Sequence, residues 1–167
     1  KKSLSICIYN YCMYMNVEEH IKTPAKLPPE RRTIIHLMLV NNHIQDVLAQ
    51  ALKPYDVSIQ QFNVLRILRG QKGEPANLST LNNRMVSRMS NTTRLVDKLI
   101  LKGLTARNTC PENRRKVEIR LTDEGIKALG KMDLAVERAE KELMSALDTK
   151  EIIVLNKLLD QITFKNE

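Results

Sequence analysis

The chain has 167 residues, 43% hydrophobic and 28% charged, with five Gly, six Pro, no Trp, two Phe and four Tyr. That length holds one ordinary domain, with or without an oligomerisation extension, and excludes a large multidomain enzyme. The apolar fraction excludes a disordered polyelectrolyte, and the shortage of aromatic residues argues against an all-β sandwich and for helix. The formal net charge of +8 is concentrated: residues 66–120 carry 13 Lys/Arg against four Asp/Glu, a net of +9, leaving −1 for the rest. A basic block between near-neutral arms is the electrostatic footprint of a nucleic-acid reader, because phosphate neutralisation supplies most non-specific affinity. A solvated basic face kept for solubility is the competing reading.

Cys7, Cys12 and Cys110 are odd in number and lack Cys-x-x-Cys spacing, so no disulfide framework is expected. His36 and His43 share a helix face two turns apart, too loose for zinc, and no metal or cofactor is expected. The run Leu4–Met15 is apolar but too short to span a bilayer and is interrupted by Ser5 and Asn10, which points to a cytoplasmic protein without a membrane partner. Residues 1–29 read as an N-terminal extension. Met15 before Asn16-Val17-Glu18-Glu19 has the look of a native start, which would make residues 1–14 upstream sequence. Residues 16–29 are expected to be extended, because Pro28-Pro29 bars helix until Glu30.

From Glu30 to Lys53 apolar residues recur at three and four (Ile34, Leu37, Val40, Ile44, Val47, Leu48, Ala51), and Pro54 stops the pattern. Ile35, Met38 and Leu39 widen the apolar face, so this helix is expected to pack against more than its own core. Ser58-Ile59-Gln60-Gln61 has capping-box form and opens a helix burying Phe62, Leu65 and Leu68, closed by Gly70 and Gly73 before Pro75. A short helix follows from Leu78 to about Met85, then a turn over Val86–Met89. Ser90 is expected to cap the next helix, Asn91–Lys102, where Leu95, Val96 and Leu99 point inward and Asn91, Arg94, Lys98 and Lys102 form one polar stripe. Gly103 ends it. Leu104–Cys110 and Lys116–Leu121 read as strands of a hairpin whose tight basic turn is Pro111–Arg115. Thr122-Asp123-Glu124-Gly125 caps a long helix with a near-heptad seam (Ile126, Leu129, Met132, Val136, Ala139, Leu143, Leu147), and Asp148-Thr149-Lys150-Glu151 caps a last one bearing Ile152, Leu155, Leu158, Leu159 and Ile162.

This order is mainly α (α+β): a winged helix-turn-helix at residues 58–122, with a two-stranded β wing, flanked by helical regions at 30–57 and 123–167. An α-helix fits a B-DNA major groove, and its N-terminal side chains meet base edges. Asn91, Thr92 and Thr93 are therefore candidate base contacts, and Arg94 suits a bidentate guanine or phosphate contact. Lys98 and Lys102 lie further back, toward phosphate. Ser90 at the helix start can attract phosphate as well as cap. Arg114 and Arg115 form the wing tip.

These residues resemble the MarR family of bacterial transcription regulators. The similarity runs from about Glu30 to Ile162. It is most specific in Met89-Ser90-Asn91-Thr92-Thr93-Arg94-Leu95-Val96-Asp97-Lys98-Leu99, in Lys102-Gly103-Leu104, and from Pro111 through Arg114-Arg115 to Thr122-Asp123-Glu124-Gly125. The resemblance implies a homodimer whose first and last helices intertwine and which binds a pseudo-palindromic double-stranded DNA operator, a repressor released by a small aromatic or anionic effector. His36, Met38, His43 and Tyr55 are of a suitable type for such a ligand, but fit no ligand motif. The family's wing usually reads Asp-Pro-x-Asp-Arg-Arg. Here Cys110 and Asn113 stand in place of the aspartates, so Arg115, which matches the minor-groove arginine, lacks its carboxylate brace.

Two other readings compete. Cys110 near Arg107, Arg114 and Arg115 would have a lowered pKa and could make a redox-responsive regulator, although the peroxide-sensing cysteine some relatives carry in the first long helix is absent from Glu30–Lys53. The same fold can also serve as a winged-helix protein-interaction module. An enzyme is not expected, since the chain has no glycine-rich phosphate loop, nucleophile elbow or metal triad.

Overall fold

Arg32 organises the first segment of the chain that the computed structural model describes. The model covers residues 16–86, 91–110 and 113–162, apart from the side chains of 109–116. Ser90, residues 1–14 and the turn at 111–112 therefore lie outside the described residues. By contact the chain divides into two units, Lys1–Gln45 and Asp46–Glu167. In the first, residues 16–29 are not wholly extended, because Val17–His20 forms a one-turn helix, α1, with Val17 buried. Arg32 Nε donates to both Glu18 carboxylate oxygens at 3.1 and 3.2 Å, and its Nη2 donates to Asn16 Oδ1 at 2.8 Å. The Glu18 carboxyl is held below its ordinary value, first by its own backbone N–H and, against some desolvation, by Arg32. Helix α2, Pro29–Leu52, starts one residue early because Pro is suited to the first helical position, where no N–H is needed.

In the second unit, a 3₁₀ turn at Lys53–Tyr55 leads to α3 (Ile59–Arg69), whose capping box is formed as expected. The Gln61 N–H donates to Ser58 Oγ at 3.2 Å, and the Ser58 N–H donates to Gln61 Oε1 at 3.0 Å. Then come α4 (Leu78–Arg84), α5 (Thr92–Leu101), β1 (Thr105–Cys110), β2 (Asn113–Leu121), α6 (Asp123–Leu143) and α7 (Thr149–Asp160). Phe62, Val64, Leu65 and Leu68 of α3 meet Leu81, Val96, Leu99, Ile119, Leu129, Met132 and Val136 in one core. An unforeseen bridge joins the loop before α4 to the hairpin. The Ala76 N–H donates to the Ile119 carbonyl at 3.0 Å, and the Ile119 N–H to the Ala76 carbonyl at 2.8 Å.

The hairpin is antiparallel but longer than expected. Asn113–Arg115 belong to β2 rather than to the turn, because pairing passes from Thr109↔Val117 directly to Cys110↔Asn113. The irregularity takes up Arg114, Arg115 and Lys116 on the β2 side, and pairing resumes beyond them. The seam of α6 is also shorter than the sequence suggests. Leu129, Met132, Val136 and Ala139 are buried, but Ile126 is exposed and Leu147 falls after the helix end. Ile126 turns outward because its neighbour Gly125 takes the inward position. In α7, capped as expected by Asp148 and Glu151, no residue is fully buried. No helix among the described residues is long and apolar enough to cross a membrane.

The junction of α5, β1 and α6 is closed by backbone. Gly103, at φ +69°, ends α5 in a Schellman arrangement: the Leu104 N–H donates to the Leu99 carbonyl at 3.0 Å and the Gly103 N–H to the Ile100 carbonyl at 2.9 Å. Thr122 then uses its hydroxyl twice, donating to the Gly103 carbonyl at 2.6 Å and accepting from the Gly125 N–H at 2.9 Å. A Cβ at Gly125 would lie 2.0 Å from the Leu104 carbonyl oxygen, whereas one at Gly130 would meet nothing within 4 Å. Gly125→Ala should therefore destabilise the fold by about 1–3 kcal/mol or more. Gly130→Ala should stabilise it by about 0.5–1 kcal/mol, the usual helix-interior difference. Urea unfolding of both variants checks the pair; equal midpoints would contradict the contact.

Candidate nucleic-acid interface

Helix α5 is amphipathic in the sense its sequence requires. Val96 and Leu99 are fully buried, Leu95 is packed against the core, and Asn91, Thr93, Arg94 and Lys98 are exposed on the outer side. Its start differs from expectation by one residue. The helix opens at Thr92, and Asn91 occupies the cap position without a side-chain cap bond.

Thr92 must be reassigned. Its side chain is buried, at 3% exposure, and its hydroxyl donates to Asn82 Oδ1 on α4. It therefore faces away from any ligand approaching the outer side of α5 and instead locks the start of this helix to α4. The first helical position points inward here because Val96 and Leu99, four and seven residues on, share its face. Asn82 is the residue that sequence reasoning missed; it lies on a polar stretch of α4 with no periodic signal to set it apart.

The basic block separates into engaged and available cations. Arg69 pairs with Asp133 of α6, and Arg107 of β1 pairs with Asp97 of α5 at 2.7 Å. Arg120 donates to the Gly73 carbonyl at 2.7 Å and lies 3.8 Å from Glu118. Arg66 lies over the Phe62 ring, 5.6 Å from its centroid. Lys102, expected to reach phosphate beside Lys98, instead donates to the carboxylate and the backbone carbonyl of Asp56. That hydrogen bond, then the Lys102 charge and, more weakly, the charge of Lys98, hold the Asp56 carboxyl below its ordinary value. Among the described residues Arg94 and Lys98 have no carboxylate partner, and their charge faces outward. Ser90 and the side chains of Arg114, Arg115 and Cys110 lie outside the described residues.

The MarR family profile matches residues 57–117, from the residue before the α3 cap into β2. Residues 57–117 are a MarR-family domain. Across 117 residues, 70% of this chain and 75% of the relative, it is 28% identical to an uncharacterized HTH-type transcriptional regulator, YhbI, of Bacillus subtilis. Its fold superposes with a TM-score of 0.72 on a mutant MarR from E. coli solved in complex with operator DNA, 25% identical, covering 84% of this chain and all of that one. A Bordetella bronchiseptica regulator, BpsR, whose DNA binding is regulated by 6-hydroxynicotinic acid, has the same fold at a TM-score of 0.73 and 19% identity, over 85% of this chain and all of that one.

Within this MarR-family domain the Thr92–Asn82 bond separates two adjacent threonines of different consequence. Thr92→Val leaves Asn82 Oδ1 without its partner and should cost about 0.5–1.5 kcal/mol of stability, the usual net worth of one hydrogen bond. Thr93→Val, on the exposed side, should stay within about 0.5 kcal/mol of the parent. Chemical denaturation reads the difference, and equal costs at the two positions would refute the buried role of Thr92.

Proposed function

We propose that this protein is a homodimeric, sequence-specific repressor that binds a pseudo-palindromic operator through α5 and the wing, and that a small aromatic or anionic compound releases it. The observation that supports DNA reading best is the outer side of α5, where Asn91, Thr93, Arg94 and Lys98 are exposed while Val96 and Leu99 of the same helix are locked in the core. A rigidly backed helix with polar side chains and unneutralised cations at its solvent face meets the steric and electrostatic needs of the major groove. In this reading Asn91, Thr93 and Arg94 contact bases. Ser90 and Lys98 contact phosphate, and Arg114 and Arg115 of the wing reach the adjacent minor groove. Residues 58–122 are the DNA-binding part, and 30–57 with 123–167 the dimerisation part. The operator-bound E. coli relative supports the DNA role, and the 6-hydroxynicotinic acid response of the Bordetella protein supports an effector of that chemical class.

The dimer reading rests on apolar side chains that the single chain leaves in water. On α7, Ile153, Val154 and Leu158 are about half exposed, as is Ile162 just beyond its end, and on α2 Ile34 and Met38 are more so. Apolar surface of that extent on two helices is the mark of an interface.

Two measurements test these assignments. Operator fragments selected from the source genome supply the duplex. On it, Arg94→Ala should cost about 1–3 kcal/mol of specific binding and relax preference at one base position, whereas Lys98→Ala should weaken operator and unrelated duplex alike and reduce the salt slope by about one. Arg94→Ala with unchanged operator affinity would remove that residue from base readout. Leu158→Glu combined with Leu159→Glu should convert the sedimenting species from dimer to monomer, since each places a charge in the proposed apolar interface. A persistent dimer would place the interface elsewhere.

A further inference from the structure

By sequence Lys102 continues the basic stripe of α5, one turn beyond Lys98, yet it is placed differently. Its side chain is 27% exposed and that of Asp56 97%, and its Nζ donates to both the main-chain carbonyl and the carboxylate of Asp56. Asp56 is held at φ +51°, a left-handed conformation that Asp tolerates, between the core residues Leu52 and Val57, which are 0% and 5% exposed. One residue earlier, the Tyr55 hydroxyl donates to the Lys131 main-chain carbonyl of α6 at 3.2 Å. The turn at 53–56 is therefore fixed to the core by its flanks, to α6 by Tyr55 and to the C-terminal end of α5 by Asp56.

We infer that Lys102 and Asp56 are positioning residues for DNA readout: the pair pins the C-terminal end of α5 to the 53–56 turn, so that the exposed residues at the other end of the helix meet the bases in one orientation. The inference rests on the proposed DNA-binding role of α5. Its lever is short and stiff. Over a ten-residue helix, about 15 Å long, a swing of roughly 10° at one end displaces the other by about 2.6 Å, enough to break a base-edge hydrogen bond, whose range is only a few tenths of an ångström. The Thr92–Asn82 bond holds the start of the helix and the Lys102–Asp56 pair holds its end. A phosphate contact would need the Lys102 ammonium group to leave both Asp56 oxygens, and it would act on any duplex. A positioning contact acts on the right sequence alone, because only base readout depends on the angle of the helix.

The test uses the full-length protein, a selected operator duplex and an unrelated duplex of equal length, with affinities measured across a salt series. Lys102→Met should weaken operator binding by up to about fivefold, the upper end for a single solvent-exposed ion pair, leave the unrelated duplex unaffected, and keep the parent slope of log affinity against log salt. Lys102→Arg should restore most of the loss. Asp56→Asn, which keeps the left-handed backbone and the carbonyl acceptor, should lower the ratio of operator to unrelated binding in the same direction but by less. The inference is overturned if Lys102→Met reduces the slope by about 0.9 per subunit and weakens both duplexes alike, as loss of a phosphate contact would, or if the ratio is unchanged in both Lys102→Met and Asp56→Asn. A parent protein that binds neither duplex with salt dependence would remove the DNA-binding role itself, and this inference with it.

Discussion

The close approach of Gly125 to the Leu104 carbonyl is the constraint around which the winged unit is arranged. Three elements meet there: the end of α5, the base of the hairpin and the start of α6. A side chain at position 125 would push the helix away from the strand, since its Cβ would sit 2.0 Å from a backbone oxygen that cannot rotate aside. With glycine there, Thr122 can place one hydroxyl between the Gly103 carbonyl and the Gly125 N–H, capping α6 while holding the exit of α5. The Thr122 N–H donates to the Leu104 carbonyl at 3.2 Å and completes the closure. The direction of α5 and the root of the wing are thus tied to the same few backbone groups, and the side chains on both inherit that geometry.

The charge surplus gains its meaning from this scaffold. Arg69, Lys102, Arg107 and Arg120 are absorbed into ties between elements. Partly exposed pairs of this kind add little stability individually, so their value lies in orientation: Arg107–Asp97 relates the strand to the helix, and Arg69–Asp133 relates α3 to α6. Arg94 and Lys98 retain an outward charge, and neither is in an ion pair with a carboxylate among the described residues. A net of +9 over residues 66–120 therefore includes several cations that are already tied to other elements of the fold.

Features carried by three or four consecutive residues are legible in the sequence. The Ser58–Gln61 and Asp148–Glu151 capping boxes, the Thr122 cap and the Gly103 stop all appear where the residue types demand, because each depends on backbone groups within one turn. Features that require a distant partner are not legible. Val17–His20 becomes helical in company with Arg32, fourteen residues beyond Glu18. The Ala76–Ile119 bridge joins segments with no shared pattern, and the β2 irregularity admits Asn113–Arg115 to a strand that their composition would assign to a turn. The same limit applies at the candidate interface. Arg94 and Lys98 could be placed outward by helical spacing alone. Thr92 and Lys102 could not be reassigned without Asn82 and Asp56, which lie 10 and 46 positions away.

Helix α7 poses the converse problem, an element whose local signals exceed its packing. It has a complete capping box and 12 residues, none of them fully buried. A helix of that length is marginal in water on propensity alone, since nucleation is costly and most helical stability in proteins comes from burying an apolar face. Its leucines are spaced for such a face and stand exposed, with Ile152 half-buried. On the proposed dimer, association would supply the missing burial, so the order of α7 would depend on protomer concentration. The winged unit carries its own core through Ile119, Leu99 and Leu65 and has no such need. Folding of the reading head and assembly of two heads would then be separable steps. In that arrangement a compound that altered the helical arms could change the spacing between two half-sites while leaving each recognition helix seated on its own Gly125–Leu104 junction.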